Sequence, residues 1–266
     1  LNQLIHGNLG ISLNTQEPVK VIISKALPAS LELAIFSILI ASLVGYFIGF
    51  SGAVKPESRI DFCGRIFGIG TYALPPFWAA MLIQIIFAVL LGWLPIGGRL
   101  PPGVIPPPPI TGFLLLDSIL DKNIEIIFSS IKHLLLPSVT LGILLSGIFS
   151  RVLRLNLEEV LKKDYIEAAK SRGINYHRIL VKHALPNTLL PILTITGLTV
   201  SSLIGGALLI EITFSWPGIA LGLQEAINQR DYQVVQGIVV IISSLVVMIS
   251  VGVDIAIAYI DPRVSY

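Results

Sequence analysis

Apolar positions along the chain gather into five runs separated by more polar stretches. A helix needs about 20 mainly apolar residues to cross a bilayer, and five segments qualify: residues 31–52, 66–91, 134–153, 189–214 and 234–260. The second contains Pro75 and Pro76, which kink a helix and require neighbouring groups to satisfy the freed carbonyls. Small residues within the runs, such as Gly45 and Gly49, Gly142 and Ser146, or Gly205 and Gly206, suit close helix approach. The expected fold is all-α: a polytopic membrane protein with five transmembrane helices. Its organisation is read as an extracytoplasmic N-terminal segment at 1–30 and a transmembrane domain at 31–266.

Composition agrees with that pattern. With 54% hydrophobic residues, 13% charged residues and a mean hydropathy of +0.84, the chain cannot cover a soluble surface. A net charge of +2 is too small to point to nucleic acid. The one cysteine, Cys63, excludes an internal disulfide framework, and His6, His133, His177 and His183 are scattered without metal-ligand spacing. Residues 1–30 show neither a basic start with an apolar core nor a cleavage site. No signal peptide is read there, and the natural N-terminus is expected upstream of Leu1.

Charge then gives orientation, because basic residues gather in cytoplasmic loops. With residues 1–30 outside, the inside segments hold Lys55, Arg59, Arg65, Arg151, Arg154, Lys162, Lys163, Lys170, Arg172, Arg178, Lys182 and Arg263. The outside segments hold only Lys20, Lys25, Arg99, Lys122, Lys132 and Arg230. The long outer loop between the second and third runs contains LPIGGRLPPGVIPPPP, whose four consecutive prolines at 106–109 favour a stiff, extended segment. Such a segment serves as a spacer or as a surface that meets an external partner.

The most polar of the cytoplasmic stretches is DYIEAAKSRGINYHRILVKHALPN, residues 164–187. Asp164 followed by Glu167 predicts a capping-box-like helix start. Ala168, Ala169, Lys170 and Arg172 favour the helix, and Gly173 suits the left-handed residue that stops it. A second helix is expected over 174–185, with Tyr176, Leu180 and Ala184 on one face and Pro186 ending it. Two such helices suit either a connector resting on anionic headgroups or a protein-docking element. The triplet Glu167, Ala168 and Ala169 favours docking, because two small side chains beside a carboxylate form a low ridge that fits a protein cleft.

Glu167, Ala168 and Ala169, then three residues, Gly173, then eleven residues, Leu185 and Pro186 resemble the cytoplasmic EAA loop of permease subunits from prokaryotic ABC importers. His183 stands where that pattern usually has a branched apolar residue, a departure common in the peptide/nickel branch. Further segments look like the dipeptide, oligopeptide and nickel permeases in the same order: GNLGISL, LPASLELA, LPPFWAAMLIQIIFA, LGWLPIGG, HLLLPSVTLG, FSWPGIALGLQEAINQRDYQVVQG and the closing DPR. The resemblance implies a type I ABC importer permease fold of six helices, of which the five found here are expected to be the last five. It implies a multi-pass protein of a prokaryotic plasma membrane, with the coupling loop at about 154–188.

The resemblance also implies partners: a second homologous permease, two ATP-binding subunits, an extracytoplasmic solute-binding protein and the lipid bilayer. The chain contains no G-x-x-x-x-G-K-[ST] phosphate loop. It is therefore expected not to be an enzyme and to hold no cofactor, with ATP and magnesium acting in the partner subunits. Asp164, Glu167, Ala168, Ala169, Gly173, Leu185 and Pro186 are the expected ATPase-coupling residues. Peptides are the expected cargo, with oligosaccharides or nickel as alternatives; an ion-gradient secondary transporter would favour internal repeats, and none is visible.

Acidic and hydroxyl groups inside the runs supply candidates for the pathway, since intramembrane charges are costly. Asp254 lies on the last run and either lines the pathway or pairs with another helix. Thr194, Thr199 and Ser201, with Thr196 and Ser202, form a hydroxyl-rich stretch on the fourth, where such groups commonly bond their own backbone. Glu32 and Glu211 are expected near the outer ends of their runs, reaching interfacial water. Asp254 has no visible partner for catalysis, which argues against an intramembrane enzyme.

Overall fold

Every apolar run becomes helix, and most of the helices outgrow the runs that predict them. The computed structural model describes residues 8–260, with the side chains of 189–190, 201–202, 204–206 and 260 outside that description. The Ser201 and Ser202 hydroxyls, the pair Gly205 and Gly206, and Arg263 with its DPR segment therefore lie outside the described residues.

Helix α1 (Val19–Val54) runs straight through residue 30, so the N-terminal segment read at 1–30 does not end where the helix begins. The early start has a packing cause. Val19 and Ile23 bury against Ile219, Ala226, Val234 and Ile238, which stabilises helix upstream of the apolar run and accommodates Pro28 within it. At about 1.5 Å per residue, helices this long extend well beyond a hydrocarbon layer of about 30 Å.

The second run divides. Helix α2 (Arg59–Ala73) ends at Leu74, and α3 (Pro76–Gln84) starts after Pro75, continuing as a π-helical turn over Ile85–Leu90. Two adjacent prolines remove two amide donors, and Pro76 sits at the first helical position, where a missing donor is harmless. The outer loop then stays irregular through the prolines at 106–109, as expected, before a short α4 (Leu114–Leu120). Helix α5 (Ile124–Leu161) carries the third run, and α6 (Asp164–Ser171) and α7 (Tyr176–Arg178) follow. The fourth run breaks at Ala207 into α8 (Leu189–Gly206) and α9 (Leu208–Thr213). Helices α10 (Ile219–Asn228) and α11 (Tyr232–Ile260) complete the order. Among the described residues three helices are long and apolar enough to cross a membrane, and the count reaches five when each of two broken pairs is one span.

The chain forms two compact units, each built from three separate stretches. The first comprises Leu1–Ser37, Pro75–Leu141 and Ser201–Val247. Its centre is Trp216, 1% exposed, whose indole N–H donates to the Ala29 carbonyl at 2.8 Å. Around it Glu211 accepts from the Ser30 hydroxyl at 2.6 Å and from the amides of Ala220 and Leu221 at 2.9 and 3.1 Å. Glu32 pairs with Arg99 and accepts from the Leu115 amide at 2.9 Å. Glu32 and Glu211 are 4% and 1% exposed, so they do not reach interfacial water. A buried carboxylate persists only when donors surround it, and here the segments around 99, 115 and 220 supply them.

The second unit comprises Ile38–Leu74, Gly142–Val200 and Met248–Tyr266. Here the small residues act as expected between α1 and α5. A Cβ on Gly45 would lie 2.5 Å from that of Phe149, and one on Gly49 would lie 2.5 Å from the Ser150 carbonyl oxygen. The backbones pack at a separation that only glycine permits.

Candidate functional site

The polar stretch at 164–187 folds as a hairpin of two helical arms on the end of α5. Only Lys162 and Lys163 separate α5 from α6. The expected capping box does not form. Lys163, extended at φ −76 and ψ 147, is the N-cap, which places Asp164 and Glu167 inside the first turn, where their charge favours the amide end of the helix dipole.

Gly173 adopts the left-handed conformation at φ +71, as predicted, and its amide donates to the Lys170 carbonyl at 2.9 Å. A Cβ added there would meet nothing within 4 Å, so backbone torsion alone favours glycine. The second arm is capped by Asn175, whose side chain accepts from the His177 amide at 2.9 Å. That cap was legible in the sequence as an asparagine two residues after the turn.

The second arm departs from regular α-helix. After α7 it winds as a π-helix over Ile179–Ala184 and tightens to a 3-10 turn over Leu185–Thr188, so Pro186 changes the winding without ending the helix. Proline lacks the amide that would continue the α pattern, and the looser and tighter turns absorb the mismatch. The winding also shifts the buried face. Ile179, Leu180 and Ala184 are buried while Tyr176 is exposed, in place of the expected face of Tyr176, Leu180 and Ala184.

Ile166 and Ala169 of the first arm join Ile179 and Ala184 of the second in one apolar cluster with Leu157 and Val160 of α5 and Ala53 of α1. The Asn187 side-chain amide donates to the Tyr165 hydroxyl at 3.1 Å and to the His183 carbonyl at 2.7 Å, closing the base of the hairpin. The EAA triplet is thereby divided: Ala169 faces the cluster, whereas Glu167 and Ala168 are exposed. Asp164 and Pro186 are exposed too, and Leu185 is half-buried.

The pathway candidates are less organised. The hydroxyls of Thr196 and Thr199 donate to the carbonyls of Ile192 and Ile195, each at 2.7 Å, so they bond their own helix. Thr194 is exposed on the same helix. Asp254 is exposed on α11, and among the described residues no basic group forms an ion pair with it.

A feature that nothing in the sequence pattern announces lies beside the hairpin. Asp61 of α2 is 1% exposed, and Arg154 of α5 pairs with it through Nε to Oδ1 at 2.5 Å and Nη2 to Oδ2 at 3.3 Å. The Arg154 guanidinium also meets Glu158 at 2.8 Å, and Arg65 approaches Asp61 at 3.4 Å.

Residues 41–266 match the family described as the inner membrane component of binding-protein-dependent transport systems. The chain belongs to this family. Among its relatives, the dipeptide transport system permease protein DppB of Alkalihalophilus pseudofirmus is 39% identical over 266 residues, covering 100% of this chain and 80% of the relative. The di/tripeptide transport system permease protein DppB of Pseudomonas aeruginosa is 36% identical, covering 100% and 79%. The probable D,D-dipeptide transport system permease protein DdpB of Escherichia coli is 37% identical, covering 100% and 78%. A chain of the MetNI methionine ABC transporter, solved in inward-facing conformations, shares the fold with a TM-score of 0.59 at 16% identity, covering 86% of this chain and 93% of that one.

The permease is thus a multi-pass plasma-membrane protein and a subunit of an ABC importer. Permease subunits are not themselves enzymes, and membership implies partner ATPase and permease subunits. The type I importer fold expected from the EAA resemblance is the fold observed.

Proposed function

We propose that this permease forms, with a second homologous permease, an ATP-driven pathway for peptides delivered by an extracytoplasmic solute-binding protein. The observation that carries the cargo assignment is similarity along the whole chain to relatives whose names specify dipeptides or tripeptides. ATP and magnesium act in two ATP-binding partner subunits, and this chain needs only to receive their motion.

The coupling loop at 154–188, within the permease domain at 31–266, is the receiver. Glu167 and Ala168 present the docking surface together with Asp164, while Ala169 fastens the first arm to α5 and α1. Gly173 sets the angle between the arms, and Leu185 and Pro186 lead the second arm into α8. Among the pathway candidates Asp254 presents an exposed carboxylate, and Thr194, Thr199 and Ser201 of α8 are the weaker candidates. Rocking of rigid helices by a docked hairpin is alternating access of the usual domain-motion kind.

Two experiments test this. Calorimetry of the cognate solute-binding protein should show dipeptide or oligopeptide binding; affinity for an oligosaccharide or nickel with none for peptides overturns the cargo. In the reconstituted transporter, Gly173→Val should lower peptide uptake about tenfold, because left-handed backbone with a branched Cβ costs about 1–2 kcal/mol. Uptake at the parental rate would remove the turn from the coupling path.

A further inference from the structure

Helix α5 enters the hairpin with almost no slack, and one turn before the hairpin cluster its side chains reach α2. Leu157 and Val160 of α5 pack in the cluster, while Arg154 turns to Asp61 at the start of α2. Asp61 is held from its own side as well. The Ser58 hydroxyl caps the Asp61 amide at 3.2 Å, and the Glu57 amide donates to Asp61 Oδ2 at 3.2 Å.

A capping arrangement of that kind is complete in water without an arginine. Here, however, the carboxylate is buried and meets the guanidinium in one hydrogen bond, from Nη2 to Oδ2 at 3.3 Å, and one close charge contact between Nε and Oδ1. Helix α1 makes room for it: a Cβ on Gly52 would lie 3.2 Å from Asp61 Oδ1 and 3.4 Å from Arg154 Cδ. Glu158, one turn along α5, meets the same guanidinium nitrogen, Nη2, at 2.8 Å. Three helices therefore converge on one ion pair next to the hairpin.

We infer that Arg154 is a positioning residue for coupling: its buried ion pair with Asp61 fastens the start of α2 to the end of α5, so that displacement of the hairpin is delivered to α2. The inference rests on the reading of 164–188 as the ATPase-docking element. Removing one partner leaves a buried charge without compensation, whereas removing both does not.

The test uses the complete transporter in liposomes, with peptide uptake and ATP hydrolysis measured on the same preparation. Arg154→Gln and Asp61→Asn should each lower peptide transported per ATP hydrolysed by at least about fivefold, the lower end of energetic coupling between sites. The double variant should recover part of that loss, and Arg154→Lys, which keeps the charge but cannot meet Asp61 and Glu158 through a planar guanidinium, should fall between. A merely structural pair would lower yield or thermal stability while the assembled complexes kept the parental ratio, and that result overturns the inference. Should Arg154→Gln fail to assemble, Arg154→Lys and Asp61→Glu decide: the parental ratio in both overturns it. Gly173→Val separates the two readings. Parental uptake in that variant removes the hairpin turn from the coupling path, whereas an uncoupled Gly173→Val beside a coupled Arg154→Gln refutes only the role of Arg154.

Discussion

Glu211 shows what a single residue does when its partners lie far away in sequence. Its carboxylate accepts from the Ser30 hydroxyl, 181 positions earlier, and from the first amides of α10, and Gly218 packs so close that a Cβ there would lie 2.4 Å from the carboxylate oxygens. Glu211→Ala would strand a hydroxyl and two amides, each unsatisfied buried group costing about 1–3 kcal/mol. The unfolding midpoint of the detergent-solubilised permease should fall markedly, and less for Glu211→Gln, which keeps one acceptor. Hydropathy placed Glu211 by depth alone and so expected interfacial water. Gly173, by contrast, was legible because its constraint is local: a basic helix end followed by a glycine needs no distant partner to be read.

At the level of elements, local signals foretold existence better than winding or extent. The apolar runs located every long helix, yet α1 starts at Val19 because of burial against α10 and α11, which no local pattern carries. Likewise Pro186 marked a disturbance in the second arm, but the chain resolves it by π and 3-10 turns that rotate Tyr176 outward. A second element-level device joins the segment before α1 to the start of α11. Asp231, 2% exposed, accepts from the Ser12 hydroxyl at 2.6 Å and from the Leu13 amide at 3.0 Å. Burial pushes its pKa up, but these bonds and those from the Asn14 and Val234 amides outweigh it and hold the group below its ordinary 3.8. A lowered folded pKa means that the unfolded chain binds the proton first. The stabilisation is therefore complete at pH values above 3.8 and is lost as pH falls through the lower, folded value. Hydrogen exchange at Leu13 and Asn14, corrected for the intrinsic rate, should show constant protection between neutral pH and about pH 5, with reduced protection in Asp231→Asn.

For the whole molecule, orientation is the expectation still to be measured, and it depends only on where basic residues accumulate. Cys63 is the sole cysteine of the sequence and is exposed near the start of α2, beside the basic residues assigned to the cytoplasm. A membrane-impermeant maleimide should label it in inside-out vesicles and leave it unlabelled in right-side-out vesicles; the reverse pattern would invert the topology. What the sequence could not display is the division into two units, since each collects three stretches from widely separated parts of the chain. That interleaving has a consequence in time. Ser12 waits for Asp231 across 219 positions, and at about 5–20 residues per second of synthesis the delay is roughly 10–40 s. Throughout that interval the Ser12 hydroxyl and the Leu13 amide are without the acceptor that they share in the folded chain. A ribosome stalled before α11 would leave four of the five spans made and the first still missing the partner that the fifth brings.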